Sequence, residues 1–155
     1  MILWFVLLVI TTASQWTAVQ NNARFSHNAG AVEFKISDYS NGFKVQFYGD
    51  TDSYIGYVEL RPNWEDIWKW GVGIGSCQKS DVDVGNDVPV SPDTVWRIWI
   101  GETKNKFNLK ADGKRIASRN CGAMQDIKKW QIEVFGPVSN LVIEWRPIDS
   151  SNTGK

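Results

Sequence analysis

Gly71, Gly73 and Gly75 stand at every second position of IWKWGVGIGSC, directly after an apolar segment. Glycines so spaced can cradle a phosphate or adenosyl group when a strand feeds a helix whose first N–H groups meet the ligand. After Gly75 the chain reads SCQKSDVDVGNDVPVSPD, and its polar residues, Gly85, Pro89 and Pro92 leave no place for an amphipathic helix to start. The alternation instead puts Trp68, Trp70, Val72 and Ile74 on one side of a strand and Lys69, Gly71, Gly73 and Gly75 on the other. Interior strand glycines weaken a sheet and often mark close approach of a ligand or another backbone. The run is therefore read as a strand, and no cofactor is expected.

Other catalytic constellations are sparse. His27, in FSHNAG, is the only histidine and has no G-x-S-x-G elbow to serve, so it reads as a surface residue. Glu65 and Asp66 are adjacent carboxylates, but neighbouring strand residues point to opposite faces. There is no His/Cys cluster of zinc type. In DVDVGND, Asp81, Asp83 and Asp87 are oxygen ligands of the kind Ca²⁺ takes. The Asp-x-Asp-x-Asp-Gly order is missing and Pro92 stands where a twelfth-position Glu belongs, so a solvated loop is preferred and no metal is expected. Binding is expected rather than catalysis.

The binding candidates come from the nine tryptophans. Trp96 and Trp99 lie on a strand apolar on both faces, and Trp130 and Trp145 keep the parity of their apolar neighbours, so these four are assigned to the core. Trp64 differs, because it sits in the turn-like RPNWED. A Trp there can stack on the apolar face of a sugar ring while Arg61, Glu65 and Asp66 take its hydroxyls. The flat glycine face at Gly71 and Gly73 could admit the same ligand or an edge partner.

These residues have to be held by strands. AVEFKI alternates Val32, Phe34 and Ile36 against Glu33 and Lys35; Asn41-Gly42 signals a hairpin, and FKVQF resumes the alternation. YIGYVEL, TVWRIWI, KFNLKA, KRIAS, WQIEVF and LVIEW follow, with turn residues at Asp112-Gly113, Gly136-Pro137 and Ser139-Asn140. One short helix is plausible, about Ala123 to Lys129. Strands at this spacing predict an all-β antiparallel sandwich spanning 15–148 as one domain, with a loose tail at 149–155.

Compartment and charge narrow the function. MILWFVLLVI is half the roughly 20 apolar residues a membrane span needs. With Thr12-Ala13-Ser14 behind it, the run has the form of a secretory signal over residues 1–14, cleaved after Ser14 or, less favourably, Ala18. No membrane span is expected, and an extracellular location is. Cys77 and Cys121 are the only cysteines, an even pair that reads as one disulfide. Lys+Arg and Asp+Glu each number 17, a balance that argues against general nucleic-acid binding. Yet from Arg97 to Lys129 nine basic residues face only Glu102, Asp112 and Asp126, either a solvated surface or one that meets acidic glycans.

Two families are similar. Phe43, Val45, Asp52, Ile55, Gly73, Gly75 and Trp99, in FKVQFYGDTDSYIGYVEL, WGVGIGSCQKSDV and VWRIWIGETKNKFNLKADGKRIAS, resemble the farnesoic acid O-methyltransferase-like domain over about Phe43 to Trp145. That resemblance implies an all-β binding module; its Gly-Gly-Trp-Gly-Asn type of run is missing here. WRIWIGETKNKFNLKADGKRI and WQIEVFGPVSNLVIEW are similar to the last strands of galectins and imply a galectin-like sandwich. The galectin His-x-Asn-Pro-Arg and Trp-x-x-Glu-x-Arg motifs are absent, so no sugar contact carries over. The leading expectation is a secreted lectin-like module for glycans. The alternative is a secreted protein-interaction or effector domain, such as a venom or extracellular-matrix component.

Overall fold

The computed structural model describes residues 15–27, 30–62, 67–84, 88–101, 105–122 and 126–148. These form twelve strands: β1 (Thr17–Val19), β2 (Arg24–Ser26), β3 (Ala31–Ile36), β4 (Phe43–Tyr48), β5 (Tyr54–Pro62), β6 (Trp68–Ile74), β7 (Cys77–Asp83), β8 (Trp96–Ile100), β9 (Lys106–Ala111), β10 (Lys114–Asn120), β11 (Lys129–Val134) and β12 (Ile143–Pro147). Two antiparallel six-stranded sheets result, ordered β1-β12-β3-β8-β9-β10 and β2-β11-β4-β5-β6-β7. The chain crosses between sheets at each of its first connections, then runs β4 to β7 as a meander in the second sheet and β8 to β10 as a meander in the first.

Period-2 patterning builds the core. Phe34 and Ile36 of β3, Phe43, Val45 and Phe47 of β4, Val72 and Ile74 of β6, and Trp96 and Ile98 of β8 are all buried between the sheets. Aromatic edges meet faces there: Phe43 and Trp96 lie 4.9 Å apart between centroids and Phe47 and Trp130 5.2 Å. Such geometry adds about 0.5–1.5 kcal/mol per pair beyond area burial. Trp145 is partly buried and stacks on Phe25 at 4.3 Å.

Several expectations change. Trp99 is half-buried on the outer side of β8, because Trp96, Ile98 and Ile100 take the inner positions. Gly75 is not a strand residue. With Ser76 it forms the two-residue turn between β6 and β7, at φ +56°, a left-handed angle that glycine adopts at little cost. Asn41-Gly42 does turn the chain, with Gly42 N–H donating to the Tyr39 carbonyl at 2.8 Å, but β3 and β4 lie in different sheets, so no hairpin forms. Asp112-Gly113, both at positive φ, does close the β9–β10 hairpin. The helix expected over Ala123 to Lys129 is not formed at 126–129. Lys128 N–H donates to the Tyr48 carbonyl, and Lys129 is the first residue of β11, paired on both sides; positions 123–125 are outside the described residues.

Cys77 opens β7 and Cys121 follows β10, the edge strands of the two sheets, and they form the disulfide with their Cα atoms 4.8 Å apart. One covalent link thus closes one open side of the sandwich. The first 14 residues, assigned to a signal, and the tail at 149–155 are outside the described residues.

Candidate functional site

The outer face of the second sheet is built from the odd positions of β5 and their partners. Val58 and Leu60 point inward and are fully buried, which turns Tyr57, Glu59 and Arg61 outward. Register sets their neighbours: Tyr57 lies between Gln46 and Gly73, Glu59 between Lys44 and Gly71, and Arg61 beside Lys69. Of the candidate residues from the sequence on this face, Arg61, Gly71 and Gly73, two are therefore glycines beside larger side chains.

The glycines serve those side chains. A Cβ on Gly73 would come within 2.5 Å of Cε1 of Tyr57, so the phenol ring lies down in the space that glycine leaves. A Cβ on Gly71 would meet Glu59 Oε1 at 3.2 Å. Lys44 Nζ sits 4.8 Å from the Tyr57 ring centroid and Arg61 Cζ 4.5 Å from that of Phe135, both within cation–π range. Arg61 Nη2 bonds Glu59 Oε2 at 2.9 Å. The Glu59 side chain is only 14% exposed and the Arg61 side chain 52%, so a held carboxylate presents an accessible guanidinium beside two aromatic rings.

Polar groups continue along the same face. Toward β2, Asp52 accepts from Lys129 Nζ at 2.6 Å and pairs with Arg24 at 3.4 Å, while the Arg24 guanidinium covers the Tyr48 ring at 3.7 Å. The Lys129 hydrogen bond holds the Asp52 carboxyl below the usual carboxylate range. Tyr54 meets Tyr48 edge to face at 5.6 Å, and partial burial, then its Tyr48, Tyr57 and Glu59 neighbours, push its phenol up. A phenol so shifted stays protonated and able to donate at neutral pH. On the other flank, Lys69 pairs with Asp83 at 3.6 Å.

Arg61, Gly71 and Gly73 are therefore brought to one face. Trp64, Glu65 and Asp66 are outside the described residues, in the segment joining β5 to β6. Tyr57, Glu59, Lys44 and Phe135 were not singled out from the sequence. The alternation of YVELR carried the signal for the first two, since they share the parity of Arg61. His27 is not a surface residue but half-buried: its Nε2 is 2.8 Å from the Ala31 carbonyl and its ring packs on Trp130 and Trp145. Asp81 lies in a bulge of β7 at φ +57° and Asp83 is held by Lys69; Asp87 is outside the described residues. Among the described residues no three His, Cys, Asp or Glu side chains gather as a metal site, and no helix is long and apolar enough to cross a membrane.

No family model matches the chain, so the likeness to the farnesoic acid O-methyltransferase-like domain finds no support there. No curated protein matches it either. Solved structures do. A tetrameric galectin from the ball sponge Cinachyrella sp. is 15% identical with a TM-score of 0.53, covering 87% of this chain and 96% of that one. Caenorhabditis elegans galectin LEC-6 is 10% identical with a TM-score of 0.55, covering 85% and 92%. A variant of human galectin-16 is 10% identical with a TM-score of 0.51, covering 82% and 97%. At such identities the likeness establishes architecture: this chain has the galectin-type β-sandwich fold.

Proposed function

We propose that the chain is a secreted carbohydrate-binding module whose ligand lies across the outer face of β4, β5 and β6. The observation that carries the reading is the row Tyr57, Glu59 and Arg61, with Lys44 and Phe135 beside it. Ring faces there adjoin a held carboxylate and an accessible guanidinium, the pairing a saccharide needs for its C–H face and its hydroxyls. Tyr57 takes the stacking role that the sequence assigns to Trp64, while Trp64, Glu65 and Asp66 lie outside the described residues. The galectin-type fold supports the same reading, as does the resemblance to galectins. The absence of the galectin sugar motifs leaves the sugar unspecified and predicts a specificity unlike theirs.

Secretion is part of the proposal. A disulfide between edge strands suits an oxidising compartment. Trp16 packs against Lys35 and Arg146, and β1 begins at Thr17, so cleavage after Ser14 keeps the first strand whole while cleavage after Ala18 removes most of it.

A glycan array probed with the mature protein tests the function. Binding to a defined set of neutral glycans, reduced at least tenfold by Arg61→Ala or Tyr57→Ala, is the expected result. Silence across the array, with protein that melts cooperatively, would refute it.

A further inference from the structure

The opposite outer face, on the first sheet, is built differently. Register aligns Arg146 of β12, Glu33 of β3, Arg97 of β8, Lys110 of β9 and Arg115 of β10 in a single row across five strands. Neighbouring strands lie about 4.8 Å apart, so the row spans roughly 19 Å. It holds four cations and one carboxylate, and that carboxylate is already used. Glu33 is buried, accepting from Arg97 Nη2 at 2.7 Å on one oxygen and from Arg146 Nε at 2.8 Å on the other. Trp16 covers the Arg146 guanidinium at 4.3 Å.

Arg97, Lys110 and Arg115 are direct cross-strand partners of like charge, an arrangement that costs stability. Lys110 and Arg115 have no ion pair among the described residues. The sequence thus keeps a locally unfavourable row, and Glu33 holds two of its guanidiniums in place where they stay about 30% exposed. A buried ion pair is weak evidence for stability. Guanidiniums fixed in advance lose less freedom on binding an anion, and their planar forks match sulfate and carboxylate oxygens.

We propose that this row is a second binding site, for a linear sulfated or carboxylated polysaccharide lying across β12, β3, β8, β9 and β10. A polymer with a negative group on successive sugars matches cations that recur with strand spacing. The half-buried indole of Trp99, one row along on β8, adds an apolar surface for a sugar ring. That apolar partner for a sugar ring, together with the galectin-type fold, is the reason for preferring a polysaccharide to nucleic acid. This site stands apart from the neutral-glycan face.

The test is affinity for a heparin-type sulfated polysaccharide, measured by calorimetry on the mature protein. Binding that weakens steeply as salt rises from about 0.05 to about 0.2 M is expected. The double variant Lys110→Ala/Arg115→Ala should bind at least tenfold more weakly while its melting temperature holds or rises, because like-charge repulsion has been relieved. Arg61→Ala should leave this affinity unchanged. No binding at the lower salt, full binding by the double variant, or equal binding to duplex DNA or phosphatidylserine vesicles would each overturn the proposal.

Discussion

The two outer faces of this sandwich carry similar residue types and arrange them oppositely. On the second sheet, cations lie beside carboxylates: Lys44 between Glu133 and Glu59, Lys69 beside Asp83, Lys129 and Arg24 on Asp52. Rings fill the spaces, and two glycines make room for them. On the first sheet, Arg97, Lys110 and Arg115 stand side by side, and of the three only Arg97 has an ion-pair partner among the described residues, Glu33, leaving the row with excess positive charge. Local charge balance suits a neutral, hydroxyl-rich ligand, which competes with few ions to reach its partners. Unbalanced charge suits a ligand that brings the missing sign. The same strand register creates both surfaces, and only the parity of each residue decides where it is displayed.

The largest effect should come from the carboxylate that organises the first-sheet face. Glu33→Gln keeps the shape and removes the charge, leaving Arg97 and Arg146 without their partner. Denaturant unfolding should register a loss of about 2–4 kcal/mol, somewhat moderated by the guanidiniums' partial exposure. Affinity for the sulfated polysaccharide should fall as well. A loss below about 0.5 kcal/mol would mean Glu33 does not position the row.

Acid should erase that difference in a set direction. Burial pushes the Glu33 carboxyl up, but the hydrogen bonds and charges of Arg97 and Arg146 outweigh it, so its folded-state pKa lies below the ordinary value. Its stabilisation is therefore fully present above the unfolded value of about 4.3 and is lost as pH falls through the lower folded one. The gap in stability between the parent chain and Glu33→Gln should be constant from neutral pH to about 5 and close in stronger acid. A gap that persists at low pH would assign the effect to packing.

A smaller effect separates the two glycines of the second-sheet face. Gly73→Ala forces the Tyr57 ring aside, at about 1–2 kcal/mol, and should weaken neutral-glycan binding. In a Tyr57→Ala background the same change should cost almost nothing, since the clash is gone. Gly71→Ala brings its Cβ to 3.2 Å from Glu59 Oε1 and 3.3 Å from the Lys79 carbonyl, far looser than the 2.5 Å approach at Gly73, and should cost less, under about 1 kcal/mol. Equal costs at the two positions would contradict the account of why Gly73 is there.

The strand pattern was legible from alternation because each sheet buries one side. The partner of each strand was not. Asp112-Gly113 and Asn41-Gly42 have similar turn chemistry, yet one closes a hairpin and the other carries the chain between sheets, a choice made by long-range pairing rather than by the turn. Gly75 fits the strand parity of its neighbours and still forms the turn, because Cys77 must double back to reach the edge position bonded to Cys121. β1 and β2 are three residues each, too short for periodicity to register, and the polar β7 alternates weakly because it is an edge. The basic excess from Arg97 to Lys129 was visible as a count. Its alignment with Arg146 and Glu33 was not, since it exists only in the register of five strands. On the second-sheet face, Arg61, Gly71 and Gly73 stand out in the sequence by residue type, whereas Tyr57 and Glu59 carry no signal beyond the parity they share with Arg61.

The division of labour between the faces is tested most directly by nitrogen-edited NMR of the mature protein titrated with a neutral oligosaccharide from the array. The account predicts shifts confined to Lys44, Tyr57, Glu59, Arg61 and their β6 neighbours, with Arg97, Lys110 and Arg115 unmoved. Shifts centred on β8 to β10, or none at saturating ligand, would contradict it.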